Sequence, residues 1–145
     1  HADLGAKMAE EICRRLRISN QQIEEVDDVV KDHLRFIHVQ EMRESTLKRF
    51  LRKSNFSDHL ELHRLDSLAS HGKLSSYHFC QEKLEELSQE AMRPKPLING
   101  HDLIGLGLEP GPLFSEIMSA IEDFQLEGKL SSKEETLDWV RKHYL

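Results

Sequence analysis

The basic side chains between residues 42 and 53 have the spacing best suited to binding an anion. This segment carries five basic residues and one acid. At about 100° per residue, Lys48, Arg49, Arg52 and Lys53 share one arc of a helix, opposite an apolar arc. Four cations on an exposed face can follow a phosphate backbone, with an affinity that falls as salt rises. The alternative is a solvated helix face paired with acids elsewhere, and the sequence leaves both open.

Histidine and aspartate side chains at helical spacing raise a second chemistry, metal binding. His59, His63 and Asp66 fall on one side of a predicted helix, at i, i+4 and i+7. A two-histidine zinc motif of the protease type requires Glu directly after the first His, and Leu60 stands there instead. A surface face of His and Asp explains the trio equally well, so we predict no metal site.

The residues needed for nucleotidyl transfer are missing from this chain. That reaction uses paired carboxylates that hold two metal ions over a triphosphate. The chain has no Asp-x-Asp pair and no glycine-rich phosphate loop of the Walker type. No nucleophile and base are spaced suggestively either. We therefore expect no catalytic residues and no cofactor in these 145 residues.

The elements that must position these side chains are all predicted to be helices. Apolar residues recur at helical spacing throughout, and no segment alternates with the period of a strand. Capping boxes are predicted at Ser19 and Ser131, and Gly72 is predicted to end the helix over residues 57–70. We predict an all-α fold of about seven to eight helices in two packed subdomains, residues 1–92 and 93–145, joined by a proline-containing linker.

Composition limits the function classes. The net charge of −6 argues against a protein that coats nucleic acid along its whole surface, but it leaves room for a local basic stripe. No apolar run reaches the length of a membrane span. The two cysteines, Cys13 and Cys80, lie on predicted apolar helix faces and are expected to be reduced thiols. We expect a cytoplasmic protein, and we expect this chain to be a fragment of a longer one.

The most specific stretch is residues 96–112, Pro-Leu-Ile-Asn-Gly-His-Asp-Leu-Ile-Gly-Leu-Gly-Leu-Glu-Pro-Gly-Pro. Pro112 suits the first turn of a helix, where the missing N–H is not needed. Gly111 before it is predicted to leave the first backbone amides open to an anion. An amphipathic helix follows and closes in Gln-Leu-Glu-Gly at residues 125–128.

This stretch closely resembles the C-terminal signature of bacterial class II tRNA nucleotidyltransferases and poly(A) polymerases. Weaker similarities extend it over nearly the whole chain. His-Ala-Asp-Leu-Gly-Ala at residues 1–6 and Leu-Asp-Ser-Leu-Ala at residues 65–69 resemble elements of HD-like helical domains. Residues 1–92 thus resemble a degenerate HD-like body, and residues 93–145 resemble the helical tail. The His101-Asp102 doublet is out of place for the metal site of that fold.

The resemblance implies a region that holds tRNA, or other RNA 3′ ends, by backbone and shape, a common mode for structured RNA. An upstream head and neck would carry the catalysis, with Mg and ATP or CTP. The resemblance and the basic stripe together predict phosphate contacts from Arg43, Lys48, Arg49, Arg52 and Lys53. Secondary candidates are Arg93, Lys95, His101 and the amides after Gly111.

Two other classes stay open. One is a fragment of a metal-dependent HD-type phosphohydrolase, whose metal site would need a His-Asp doublet upstream of His1. The other is a helical protein-interaction module, such as a homodimerisation region that uses the acidic face of residues 115–145.

Overall fold

A computed structural model describes the whole chain, residues 1–145. It contains nine α-helices and one 3-10 helix and no strand, which confirms the all-α fold with slightly more helices than predicted. No helix is both long enough and apolar enough to cross a membrane. The α-helices are α1 (Ala2–Arg15), α2 (Asn20–Asp32), α3 (Glu44–Leu51), α4 (Phe56–Ala69), α5 (Ser75–Glu86), α6 (Gln89–Met92), α7 (Gly100–Gly105), α8 (Pro112–Leu126) and α9 (Lys133–Tyr144).

The helices form two compact units that are not contiguous in sequence. The first unit comprises His1–Met42 and Lys53–Glu86. The second unit comprises Arg43–Arg52 and Leu87–Leu145. These units differ from the predicted subdomains, residues 1–92 and 93–145. The difference arises because α3 packs against α6 and α8 and so belongs to the second unit.

In the first unit, α1 and α2 pack against each other over most of their length. Ser19 caps α2 in the predicted capping box, its hydroxyl accepting from the backbone N–H of Gln22. Helix α2 does not continue through Leu34 and Ile37, although these apolar residues keep its spacing, because the chain tightens into a 3-10 helix at His33–Glu41. That change of pitch turns Phe36 and Val39 fully inward, while Ile37 stays exposed.

The ends of the next helices follow local chemistry. Gly72 ends α4 as predicted, with a left-handed φ of 73° and its N–H donating to the carbonyl of Ser67 at 2.7 Å. Between Ser75 and Met92 the chain forms two helices, α5 and α6, rather than one. Ser88 starts α6 by accepting the N–H of Ala91. Both cysteines are free and buried, as expected.

The second unit is built around α8. Its apolar core contains Ile117 and Ile121 from α8, and α7, α9 and the adjoining loops pack around them. Asn99 and Asp102 form a capping box at the start of α7. The capping residue of α9 is Ser132, one position later than predicted, and its hydroxyl accepts the N–H of Glu135. The core of the second unit thus holds α8 in place, and α3 packs against α8.

Candidate nucleic-acid interface

Helix α3 carries Lys48 and Arg49, has Arg43 and Arg52 as its caps, and is anchored by its apolar side. Leu47, Phe50 and Leu51 are buried, as the helical spacing predicted. Because α3 packs against α8, the basic side chains near this interface reach the acids and carbonyls of α8. The contacts of each cation decide which of them remain available to an anion.

Lys48 was expected on an exposed face of the helix, and this expectation is wrong. Its side chain is only 10% exposed. The Nζ atom donates to the carbonyl oxygen of Leu126 at 2.6 Å and pairs with Glu44 at 3.0 Å. Leu126 is the last residue of α8, where carbonyls lack helical partners. Lys48 therefore caps the C-terminal end of α8.

Arg49 and Arg52 both pair with acids on the next helix but stay partly accessible. Arg49 lies 2.8 Å from Glu122 and 3.0 Å from Asp123. Arg52 lies 2.6 Å from Glu122 and also donates to the carbonyl of Met92. The Arg52 hydrogen bond is the main reason why the pKa of Glu122 is lowered; burial opposes it, and the nearby positive charges add to it. Glu122 is therefore ionised among the arginines.

Arg93 adds a third guanidinium to this group. It is exposed, donates to the backbone carbonyl of Arg52, and helps to lower the pKa of Glu122 through its charge. Three arginines thus surround Glu122, with Asp123 as the second acid, so the group keeps a net positive charge. We call Arg49, Arg52, Arg93 and Glu122 the arginine cluster.

A cleft of about 360 Å³ opens beside the arginine cluster. Its lining includes Arg49 and Glu122 together with the linker prolines Pro94 and Pro96. Lys95 lies between these prolines, exposed and without an ion pair, and Gln125 donates to its carbonyl at 2.7 Å. The linker therefore places one free cation at the edge of the cleft.

The other residues of the second unit that were predicted to contact RNA are exposed, and they differ in chemical type. Arg43 has a 70% exposed side chain and a long pairing of 3.9 Å with Glu127. His101 is exposed in the first turn of α7. Gly111 precedes α8 in an extended conformation, and no side chain caps the amides there. An added Cβ at Gly111 would meet nothing within 4 Å, so space does not require glycine.

Lys53 belongs to the first unit, in a separate ion cluster. Its Nζ lies 2.7 Å from Asp28 and 2.6 Å from Asp32. Asn55 and the buried His59 also donate to Asp28, at 3.2 Å and 3.0 Å. Burial raises the pKa of Asp28, but the hydrogen bonds from its three partners outweigh burial and bring the pKa to about 2. Lys53 is thereby fixed between two carboxylates rather than held out toward solvent.

The predicted face of His59, His63 and Asp66 does not act as one group. His59 bonds to Asp28, whereas the His63 ring stacks on Phe36 at 4.4 Å between centroids. Burial lowers the pKa of His63, which favours its neutral form. The one group with metal-like spacing is Asp28, Asp32 and His59, whose donor atoms lie within 4.8 Å of one another. In this group the positive charge beside the two carboxylates is the ammonium of Lys53.

The His101-Asp102 doublet is explained by helix capping. The carboxylate of Asp102 accepts the backbone N–H of Asn99 at 2.9 Å, and its other oxygen pairs with Lys133 at 2.6 Å. The Lys133 hydrogen bond, followed by the one from Asn99, lowers the pKa of Asp102. Asp102 therefore holds the first turn of α7 and ties it to the start of α9.

Sequence reasoning missed the acids that organise these sites. Glu122 and Asp123 lie about 70 residues after α3, and Asp28 lies 25 residues before Lys53. Glu122 and Asp123 are adjacent to apolar positions of α8, which was a weak signal that they face a packed neighbour. No local pattern indicates which distant cation each acid meets.

Fold and site together define an all-helical protein class with an arginine cluster beside a cleft. The family described as tRNA nucleotidyltransferase domain 2 matches residues 1–140. The chain belongs to this family, which confirms the resemblance drawn from the signature at residues 96–112. No solved structure matches the chain significantly.

Curated relatives agree with the family. A CC-adding tRNA nucleotidyltransferase of Thermus thermophilus is 28% identical over 137 residues, which is 93% of this chain and 31% of that protein. An A-adding tRNA nucleotidyltransferase of Deinococcus radiodurans is 26% identical over 98% of this chain and 34% of that protein. Another A-adding enzyme, of Halalkalibacterium halodurans, is 35% identical over 49% of this chain and 17% of that protein. The chain thus spans about a third or less of these relatives.

Proposed function

We propose that this chain is the RNA-positioning region of a tRNA nucleotidyltransferase. It binds tRNA through phosphates and shape, while an upstream head domain with Mg and ATP or CTP adds nucleotides to the 3′ end. The proposal extends to this chain the activity named for its relatives. The single observation that carries the RNA-binding role is the convergence of Arg49, Arg52 and Arg93 on Glu122 beside an open cleft.

The proposed contact surface is narrower than the basic stripe in the sequence. It consists of the arginine cluster, with Lys95 at the edge of the cleft and Arg43 directly before the helix that carries Arg49. His101 and the amides after Gly111 remain secondary candidates. Lys48 and Lys53 have structural partners that leave them few free donors, so we assign their main role to the fold.

A surface of this composition favours backbone contacts over base reading. Guanidinium groups bind phosphates in a fixed, often bidentate geometry. Phe50, the aromatic residue of α3, is buried and cannot stack on a base. Phosphate contacts fix the position of a nucleic acid without selecting its sequence. A region that must accept many tRNAs needs this kind of contact.

Replacing Glu122 tests the proposal through an expected gain in RNA affinity. As an ionised acid among arginines, it competes with phosphate for the same donors. Glu122→Gln keeps the side-chain shape and an acceptor for Arg52, but it removes one negative charge. We expect Glu122→Gln to bind tRNA roughly threefold more tightly at low salt, an effect of the size measured for accessible ion pairs.

The experiment is a fluorescence anisotropy titration of the chain with a tRNA lacking its 3′ CCA, at two salt concentrations. Unstructured RNA of equal length is the comparison ligand, and Glu116→Gln, an exposed acid of α8, is the control variant. Tighter binding to tRNA, strengthened by Glu122→Gln alone, supports the proposal. Equal binding of both RNAs, or an unchanged Glu122→Gln variant, contradicts it.

A further inference from the structure

The first helix exposes an apolar stripe that nothing in the chain covers. Leu4, Met8, Ile12 and Leu16 follow one another at intervals of four residues on α1 and its C-cap. Their exposed fractions are 63%, 55%, 50% and 68%. The stripe is about 18 Å long at the helical rise. Contiguous apolar surface of this kind on a folded protein marks an interaction site.

A cleft with an apolar lining lies on the helices next to α1. An added Cβ at Gly5, beside the stripe, would lie 3.6 Å from Val30. Val30 lines a cleft of about 480 Å³ with Val26, Val29, Leu62 and Ile18, and with the polar residues Gln22, Glu25 and Asp58. Apolar surface is therefore also present on the helix that packs against α1.

A row of alternating charges runs beside the stripe. Asp3, Lys7, Glu11 and Arg15 also follow one another at intervals of four residues, each one position before a member of the stripe. All four are exposed and none forms an ion pair. On the same helix Arg14 does pair with Glu10, at 2.8 Å. The row thus presents two negative and two positive charges, of which Asp3 also acts through its charge on Lys31 of α2.

When the row is read in the opposite direction, the charge at every position has the opposite sign. Two copies of α1 placed antiparallel bring Asp3 opposite Arg15 and Lys7 opposite Glu11, each pair occurring twice. The apolar pairs Leu4–Leu16 and Met8–Ile12 are centred one residue further along α1, so one axis brings both sets opposite each other to within about 3 Å. A two-fold axis perpendicular to both helices keeps the charged rows on the same side of the contact. Rows of i, i+4 side chains lie alongside one another when helices cross at about 50°.

We propose that α1 is a homodimer interface, in which its apolar stripe and charged row pair antiparallel with α1 of a second copy of this chain. The charge order favours this arrangement, because the antiparallel pair brings opposite charges together. A parallel two-fold pair places the two charged rows on opposite sides of the contact, where they cannot pair with each other. This surface lies in the first unit and is distinct from the acidic face of residues 115–145.

The first test measures the mass of the chain in solution by sedimentation equilibrium across a range of concentrations. We expect a dimer that Met8→Glu converts to a monomer, because the new charge would be buried in the contact. The control is Ile104→Glu, which changes a residue that is 49% exposed on α7 and should leave the dimer intact. Circular dichroism checks that each variant keeps its helices.

The second test uses the charge order directly. Asp3→Lys alone places a positive charge against Arg15 of the other copy, and Arg15→Glu alone places a negative charge against Asp3. Each variant should dimerise at least about tenfold more weakly than the unchanged chain. An equimolar mixture of the two variants should form the heterodimer, because both of its pairs between positions 3 and 15 are again opposite in sign. Native mass spectrometry separates the heterodimer from both homodimers.

The proposal fails if the chain is monomeric at all concentrations, or if the mixed variants show no preference for the heterodimer. The complete polypeptide provides a further check through the rate of Met8 oxidation by peroxide. A monomer in which Met8 is protected would mean that another part of the polypeptide covers the stripe, which overturns the dimer. A dimer that protects Met8, with Met8→Glu monomeric, supports it.

Discussion

The ammonium of Lys48 donates a 2.6 Å hydrogen bond to the carbonyl oxygen of Leu126, 78 residues further along the chain. This bond joins α3 to the C-terminal end of α8. A cation at a helix C-terminus is favoured both by the unpaired carbonyls and by the helix dipole. Lys48 is therefore a structural residue within a segment whose composition points to anion binding.

Removing this amine should destabilise the protein. Lys48→Met keeps most of the apolar stem but leaves the Leu126 carbonyl without its partner. We expect the free energy of unfolding to fall by about 1–3 kcal/mol, the usual range for a buried group left unsatisfied. Urea denaturation measures this. The control, Lys142→Met on the exposed side of α9, should change stability by less than about 0.5 kcal/mol. Equal losses in both variants would contradict the capping role.

Asp28 should contribute to the loss of stability in acid. Its pKa of about 2 in the folded protein lies below the usual value of 3.8. A carboxyl group with a lowered pKa stabilises the fold above its unfolded pKa, and this contribution disappears as the pH falls through the folded pKa. We expect Asp28→Asn to show a shallower decline of unfolding free energy between about pH 5 and pH 2.

Denaturation with urea at several pH values measures that slope. Glu116→Gln, which removes an exposed carboxyl of α8 without an ion pair, is the matched control. The assignment is wrong if Asp28→Asn and Glu116→Gln flatten the slope by the same amount.

Replacing Lys53 should turn its ion cluster into a cation site. In Lys53→Ala, Asp28 and Asp32 lose their shared ammonium, while His59 stays close enough for all three donors to contact one ion. We expect Lys53→Ala to be less stable than the unchanged chain. Addition of Mn²⁺ or Zn²⁺ should raise its melting temperature by at least about 3 °C.

The unchanged chain should show no such metal response, because Lys53 occupies the position between the carboxylates. Adding Asp32→Asn to Lys53→Ala removes one ligand and serves as the control. A metal-dependent shift of similar size in all three proteins would show that the ion binds elsewhere.

The exposed cations of the second unit should contribute to RNA binding through salt-dependent contacts. Arg43→Ala and Lys95→Ala together remove two charges that have little structural role. We expect the slope of log affinity against log salt to fall by about two, one for each lost phosphate contact. The control is Arg141→Ala with Lys142→Ala on α9. An unchanged slope with Arg43 and Lys95 removed would exclude them from the interface.

The sequence by itself determined the helical architecture and the family. Apolar spacing indicated most of the helices, since a helix repeats on a scale of a few residues. The caps at Ser19 and Gly72 follow from the same local chemistry. The stretch at residues 96–112 indicated the family because its glycines, prolines and apolar residues form a distinctive order.

Only the tertiary structure decided which cations are available. In the sequence, Lys48, Arg49, Arg52 and Lys53 look equivalent, since all lie on one arc of a helix. In the folded protein Lys48 is buried at the end of α8. Lys53 is held between Asp28 and Asp32 by ion pairs. Arg49 and Arg52 remain beside a cleft. The physical reason is that an ion pair depends on distance in space. Apart from Glu44, which is four residues before Lys48, the acids and carbonyls that bind these cations lie about 20 to 80 residues away, where no local pattern reaches.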